Sequence, residues 1–202
     1  MNNITELVFI LDRSGSMHGL ESDTIGGFNS LIDKQKRGAG CALVTTVLFD
    51  TSVERVHDRI DIQNVPLMTA KDYIPGGCTA LLDAIGSTIK HIVNIHRYAR
   101  KEDIPEKTVF VITTDGLENA SRHYCFDAVK QMIEHEKNKY GWEFLFLGAN
   151  IDAIDTAGHL GIQADRATNF MPDGAGVELS FRSMARAVSA ARCSQSIYFN
   201  TF

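Results

Sequence analysis

Asp12, Ser14 and Ser16 form an Asp-x-Ser-x-Ser triplet immediately after the apolar run Leu7-Val8-Phe9-Ile10-Leu11. A carboxylate and two hydroxyls offer only hard oxygen donors, which suit Mg²⁺, Mn²⁺ or Ca²⁺ rather than zinc. Three short oxygen-bearing residues at i, i+2 and i+4 can converge on one point if the chain turns sharply after the run, and Gly15 permits such a turn. Ser14 and Ser16 equally suit the cap of a following helix, and the triplet alone leaves both readings open.

Two further segments carry oxygen donors. Pro75-Gly76-Gly77-Cys78-Thr79 precedes a long helical pattern; its glycines let backbone approach a ligand, and Thr79 is either a ligand or the N-cap of that helix. Asp115-Gly116 follows the β-rich run Lys107 to Thr114. Glu118 and Asn119, just beyond, suit a loop-shaping role better than a ligand role. Cys78 reads as an inert thiol beside Thr79, since a hard cation does not favour sulfur. His18 and His123 fall near the expected rim and read as surface residues.

The elements that must position these groups follow from periodicity. Leu7 to Leu11 reads as a buried strand, and Ser22 to Lys36 as a helix with Ile25, Phe28, Leu31 and Ile32 on one face. Ala42 to Phe49 and Val53 to Ile60 read as strands joined by Asp50-Thr51-Ser52 into an antiparallel edge hairpin. Thr79 to Ala99 is a long helix, Lys107 to Thr114 a strand, Phe126 to Tyr140 a helix, and Trp142 to Leu147 a strand. Ala153 to Leu160 is a short helix closed by Gly161, residues 167 to 170 a last short strand, and Gly174 to Arg192 a final helix. Strands alternating with helices predict an α/β fold with a doubly wound, mostly parallel, Rossmann-like sheet covered on both faces.

In such a sheet the ligand site lies beyond the carboxyl ends of the strands, where the winding direction reverses. If the first strand is central and the chain winds outward through the second and third, the strand Lys107 to Thr114 must return to the first strand's other side. Asp12 and Asp115 then face each other, although 103 positions separate them.

The chain has 202 residues, enough for one domain, and 44% apolar residues can furnish its core. The net charge of -5 argues against a sequence-independent nucleic-acid binder. Lys34-Gln35-Lys36-Arg37 sits where a helix ends and complements its dipole. Cys41, Cys78, Cys125 and Cys193 are dispersed without C-x-x-C spacing and read as reduced thiols. The first residues lack a positively charged stretch and a long apolar one, so neither a signal peptide nor a membrane span is expected, and a cytoplasmic protein is.

The motif set Asp12-x-Ser14-x-Ser16, Thr79 before a helix and Asp115-Gly116 after a strand resembles the von Willebrand factor type A domain family over about the first 150 residues. The resemblance implies the strand order 3-2-1-4-5-6 and a metal-ion-dependent adhesion site. It further implies that Ser14, Ser16 and sometimes Thr79 bind Mg²⁺ directly, while Asp12 and Asp115 act mainly through water. Mn²⁺ or Ca²⁺ could replace Mg²⁺. The short chain is more similar to bacterial stand-alone members, including those of tellurium-resistance operons, than to integrin or extracellular-matrix domains.

These readings make the chain a single domain, 1–202, in which residues 193–202 form an added strand or docking tail. Its expected role is metal-dependent protein binding, with a Glu or Asp of a protein partner completing the metal shell. Nucleic acid and membrane are not expected partners, and the oligomeric state is left open. A Mg²⁺-dependent phosphoryl-transfer hydrolase is the alternative class, since such folds also place an Asp after the first strand. A haloacid-dehalogenase-like phosphatase would want a second carboxylate where Ser14 stands, and no phosphate-binding glycine pattern follows a strand. No general base is evident, so an enzyme is not expected. A scaffold with a purely structural metal is the third possibility.

Overall fold

The computed structural model describes residues 4–193, which include every motif residue named above; most of the 193–202 tail lies outside them. The first strand, β1 (Ile4–Asp12), runs on one residue past the apolar stretch, so the Asp12 carboxylate stands at its carboxyl end. A short 3₁₀ turn over Gly15–Met17 leads to α1 (Glu21–Lys36), then β2 (Cys41–Phe49) and β3 (Val53–Asp61). After a long connection come α2 (Leu81–Tyr98), β4 (Lys107–Thr114), α3 (Phe126–Tyr140) and β5 (Glu143–Gly148). The described chain ends with α4 (Ala153–His159), β6 (Ala167–Asn169) and α5 (Gly174–Arg192).

The six strands form one sheet in the order β3-β2-β1-β4-β5-β6, the order the family resemblance implies, parallel except for β3, the antiparallel edge expected from its short connection to β2. The order reverses direction between β1 and β4, where Leu11 pairs with Thr113. Side chains of β1 alternate between two cores because successive Cβ atoms leave opposite faces of a strand. Leu7, Phe9 and Leu11 meet Phe28, Leu31 and Ile32 of α1 and Val177, Phe181 and Met184 of α5. Val8 and Ile10 meet Leu82, Ile85 and Ile89 of α2 and Val129 and Ile133 of α3. Each fully buried Leu, Ile or Phe contributes about 1.5–3 kcal/mol of apolar burial. With every residue of this strand from Leu7 to Leu11 solvent-excluded, its carboxyl end is a rigid platform.

The edge strand β3 differs in character. It is polar over most of its length, with Glu54, Arg55 and Asp58 exposed, and its pairing with β2 is irregular between Val44 and Val47. Arg59 there adopts a left-handed backbone, with φ of +50°.

Candidate metal centre

β1 delivers Asp12 to the switch point, and the following turn folds back over it. The Ser14 amide donates to Asp12 Oδ1 at 2.7 Å, and the Thr114 hydroxyl of β4 donates to Asp12 Oδ2 at 2.6 Å. The Ser16 hydroxyl donates to Asp115 Oδ1 at 2.5 Å and lies 3.1 Å from the Ser14 hydroxyl. Asp12, Ser14, Ser16 and Asp115 are thus joined through short contacts across the switch point, as the topology requires.

Thr79 reaches the same place. A Cβ built on Gly116 would stand 3.2 Å from Thr79 Oγ1 and 3.6 Å from Ser16 Oγ, so both hydroxyls border one small space that the missing side chain keeps open. The loop carrying Thr79 is pinned to the turn after β1. The Gly15 amide donates to the Gly77 carbonyl at 3.2 Å and the Gly76 amide to the Arg13 carbonyl at 2.9 Å. Gly15 has no left-handed backbone angle; a Cβ there would lie 3.3 Å from the Gly77 oxygen. Its requirement is this close approach, not the sharp turn expected of it; the left-handed glycines near the site are Gly77, with φ of +69°, and Gly19, with φ of +88°.

The capping alternatives fall away. Ser14 occupies the cap of the 3₁₀ turn without a side-chain bond to it, and α1 begins behind Leu20. Helix α2 starts at Leu81 rather than Thr79, with Ala80 at its cap. The cap acceptor is Glu118, which takes the Leu82 amide at 2.9 Å and also binds the Ala120 and Ser121 amides. Asn119 clamps Thr79, accepting from its amide and donating its own amide to the Thr79 carbonyl. Both residues have the loop-shaping role anticipated for them. Cys78 and His18 are exposed, and the His123 amide serves to bind Asp83.

Tyr73 and Thr114 are supports that sequence reasoning missed. The Tyr73 ring is buried and its hydroxyl donates to the Asp12 carbonyl at 2.5 Å, holding the strand end in place. Burial, together with the nearby Asp12 charge, pushes its phenol well above the usual range. The signal for Thr114 was its place at the strand end beside Asp115; an aromatic just before a Gly-Gly loop was the only signal for Tyr73.

Electrostatics distinguish this cluster. Asp12 and Asp115 are 1% and 2% exposed. Burial pushes both carboxyls above the usual range; bonds from Ser14 and Thr114 only partly offset this at Asp12, and the Asp12 charge adds to it at Asp115. Arg13, the cation next in sequence, turns away to Asp50 at 2.9 Å and Glu54 at 2.7 Å. Among the described residues neither carboxylate has a Lys, Arg or His partner, and Asp115 Oδ2 is buried without a hydrogen bond. No group of three or more His, Cys, Asp or Glu side chains converges among the described residues, so any metal here would depend on hydroxyls. The residues fit a hard divalent cation: two uncompensated carboxylates, an orphaned oxygen, three hydroxyls and a space that a methyl group would fill.

Comparison with solved structures places this architecture among von Willebrand factor type A folds. The proximal thread matrix protein 1 of the mussel byssus aligns with TM-score 0.61 at 13% identity, over 94% of this chain and 46% of its own. The same mussel protein with a zinc-occupied metal-ion-dependent adhesion motif aligns with TM-score 0.60 at 12% identity, over 92% of this chain and 46% of its own. The von Willebrand factor domain of the pilus tip protein Mfa5 from Porphyromonas gingivalis aligns with TM-score 0.62 at 12% identity, over 91% and 94% of the two chains. This chain spans about half the mussel protein, and identities this low establish likeness of fold alone. No protein-family model and no curated protein matches the sequence.

Proposed function

We propose that this chain is a divalent-metal-dependent protein-binding module. In this reading Asp12, Ser14, Ser16, Thr79 and Asp115 hold Mg²⁺, with Mn²⁺ or Ca²⁺ as substitutes, and a Glu or Asp of a protein partner completes the shell. The observation that carries it is the pair of buried carboxylates at the switch point, set among hydroxyls and without a cationic side-chain partner among the described residues. Two carboxylates balance a divalent ion and hydroxyls add no charge, so the bound metal would supply an electrophile for an outside anion.

Support also comes from the neighbours, since a matrix protein and a pilus tip protein share the fold and one of them carries zinc in this motif. Zinc in that protein shows that ion choice in such sites is broader than hard-donor preference alone suggests. A binding role is favoured over hydrolysis because the groups around Asp12 are spent on holding it: Ser14, Thr114 and Tyr73 all bond to that residue. The four cysteines are free and exposed, which suits the reducing, cytoplasmic setting read from the sequence. Among the described residues no helix is long and apolar enough to cross a membrane.

The test is a pull-down from the native host run with Mg²⁺, with EDTA, and with Asp12→Ala and Gly116→Ala. A partner retained only with Mg²⁺ and intact Asp12, and weakened by the methyl of Gly116→Ala, is expected. A partner held equally in all arms overturns the reading.

A further inference from the structure

An open groove of about 880 Å³ lies between the tip of the β2–β3 hairpin, one face of α2 and the loop from β4 to α3. It begins at Thr79. Cys78 and Ala80, on either side of that residue, are both bonded to the hairpin tip: the Cys78 amide donates to Thr51 Oγ1 and the Ala80 amide to the Asp50 carbonyl, each at 2.8 Å. Gly77 makes room for this, since a Cβ there would stand 2.6 Å from Thr51 Oγ1. From the other wall Asn119 clamps Thr79, and the next residue, Ala120, already lines the groove. The groove and the candidate metal centre are therefore held by the same two loops.

The lining is basic in a chain of net charge -5. Lys90, Arg122 and His123 are exposed there against one acid, Asp83. Asp83 is 9% exposed and its two oxygens accept the Arg122, His123 and Tyr124 amides, each at 2.9 Å, so its carboxylate is engaged in shaping the loop. Neighbouring cations are paired: Arg13 with Asp50 and Glu54, and His91, next to Lys90, with Asp58. Among the described residues Lys90 and Arg122 pair with no carboxylate. Asp83, Ser87 and Lys90 follow one face of α2 at i, i+4 and i+7. Lys90 stands about 14 Å along the axis from Leu81, at about 1.5 Å per residue, a span that an extended peptide covers in about four residues. A nucleic-acid strand would want an open aromatic platform, and the lining ring, Tyr124, is half-buried and packed against Gly86.

We propose that this groove takes an extended acidic segment of the same protein partner that completes the metal shell. It rests on the metal reading. Alternate residues of an extended chain share a face. A segment whose first acid meets the metal would therefore bring acids two and four positions further on to Arg122 and His123, and then to Lys90.

The probes are two fluorescein-labelled peptides, Glu-Ser-Glu-Ser-Glu and Glu-Ser-Ser-Ser-Ser, followed by anisotropy in Mg²⁺ and in EDTA. Mg²⁺ uptake is measured separately by calorimetry. An exposed ion pair is worth up to about fivefold in affinity, so in Mg²⁺ the triacidic peptide should bind roughly tenfold tighter than the monoacidic one. Lys90→Glu together with Arg122→Glu should erase that advantage and leave both Mg²⁺ uptake and the monoacidic peptide unchanged. Raising the ionic strength on the unaltered protein should narrow the same gap, which keeps the test decisive if the charge reversals fail to fold. Mg²⁺ uptake with equal or undetectable binding of the two peptides overturns this inference alone. Absent Mg²⁺ uptake, or peptide binding indifferent to EDTA, overturns the metal reading and this inference with it. Tighter binding of a labelled oligodeoxythymidylate than of the triacidic peptide makes the groove a nucleic-acid site and overturns the peptide assignment.

Discussion

At the amino edge of the sheet Glu6 is fully buried against Arg59 at 2.8 Å and His96 at 2.7 Å, whereas at the carboxyl edge Asp12 and Asp115 are buried among hydroxyls and amides only. Both edges remove acid from water, a costly step without a compensating charge. For Glu6 the chain supplies its own compensation. At the carboxyl edge it supplies Asp12 and Asp115 with oriented oxygens and, among the described residues, no positively charged partner. In the proposed reading the difference separates an acid that serves the fold from acids that serve a ligand, a distinction that burial or acidity alone does not make.

The comparison can be broken first at Glu6. Glu6→Ala strips a buried partner from Arg59 and His96 and should cost about 3–5 kcal/mol of unfolding free energy in denaturant titration, equally with and without Mg²⁺. A metal-dependent loss would mean the two edges are coupled. Next in size, Mg²⁺ at a hundred times its dissociation constant should add about 2.7 kcal/mol to the wild type and nothing to Asp12→Asn. Metal-free Asp12→Asn should be no less stable than the parent, since it removes one of two uncompensated charges; a large loss would make Asp12 a structural acid like Glu6.

A smaller effect concerns pH. With their carboxyls raised above the ordinary 3.8, Asp12 and Asp115 bind more protons folded than unfolded, so without metal their contribution to stability falls as pH rises above that value. Asp83 behaves oppositely: burial pushes it up, but the Arg122, His123 and Tyr124 amides outweigh this and hold it below the usual range. Burial holds the His57 imidazole low, which makes its contribution rise with pH below 6.5. Both effects are common to the two conditions, so the difference between thermal unfolding in Mg²⁺ and in EDTA isolates the site. That difference should widen with rising pH, by up to about 1.4 kcal/mol per pH unit for each proton displaced. Smallest of all, Tyr73→Phe should cost about 1 kcal/mol and lower Mg²⁺ affinity in calorimetry, by loosening the Asp12 carbonyl.

Much of this was legible in the residues. The mostly parallel, doubly covered sheet followed from alternating strand and helix patterns, of which the buried run Leu7 to Leu11 is the clearest, and its strand order from the resemblance to von Willebrand factor type A domains. The meeting of Asp12 and Asp115 followed from the switch-point rule. Element ends were less legible: α2 begins two residues after Thr79 because Glu118, remote in sequence, provides its cap. Long-range side-chain bonds of this kind leave no local periodicity. Tyr73 was hidden for the same reason, since its role depends on a strand end 61 residues away.

The polar, irregular edge strand bears on how partners can approach. Strand addition, in which an incoming peptide extends a sheet, needs a long flat edge with free backbone groups. On one side β3 offers exposed charge, a broken register and a left-handed kink at Arg59, and on the other β6 is three residues long. Those features also discourage the edge-to-edge joining that starts aggregation. Recruitment through the sheet's sides is thereby disfavoured, leaving its two ends as the places where another molecule can be recognised.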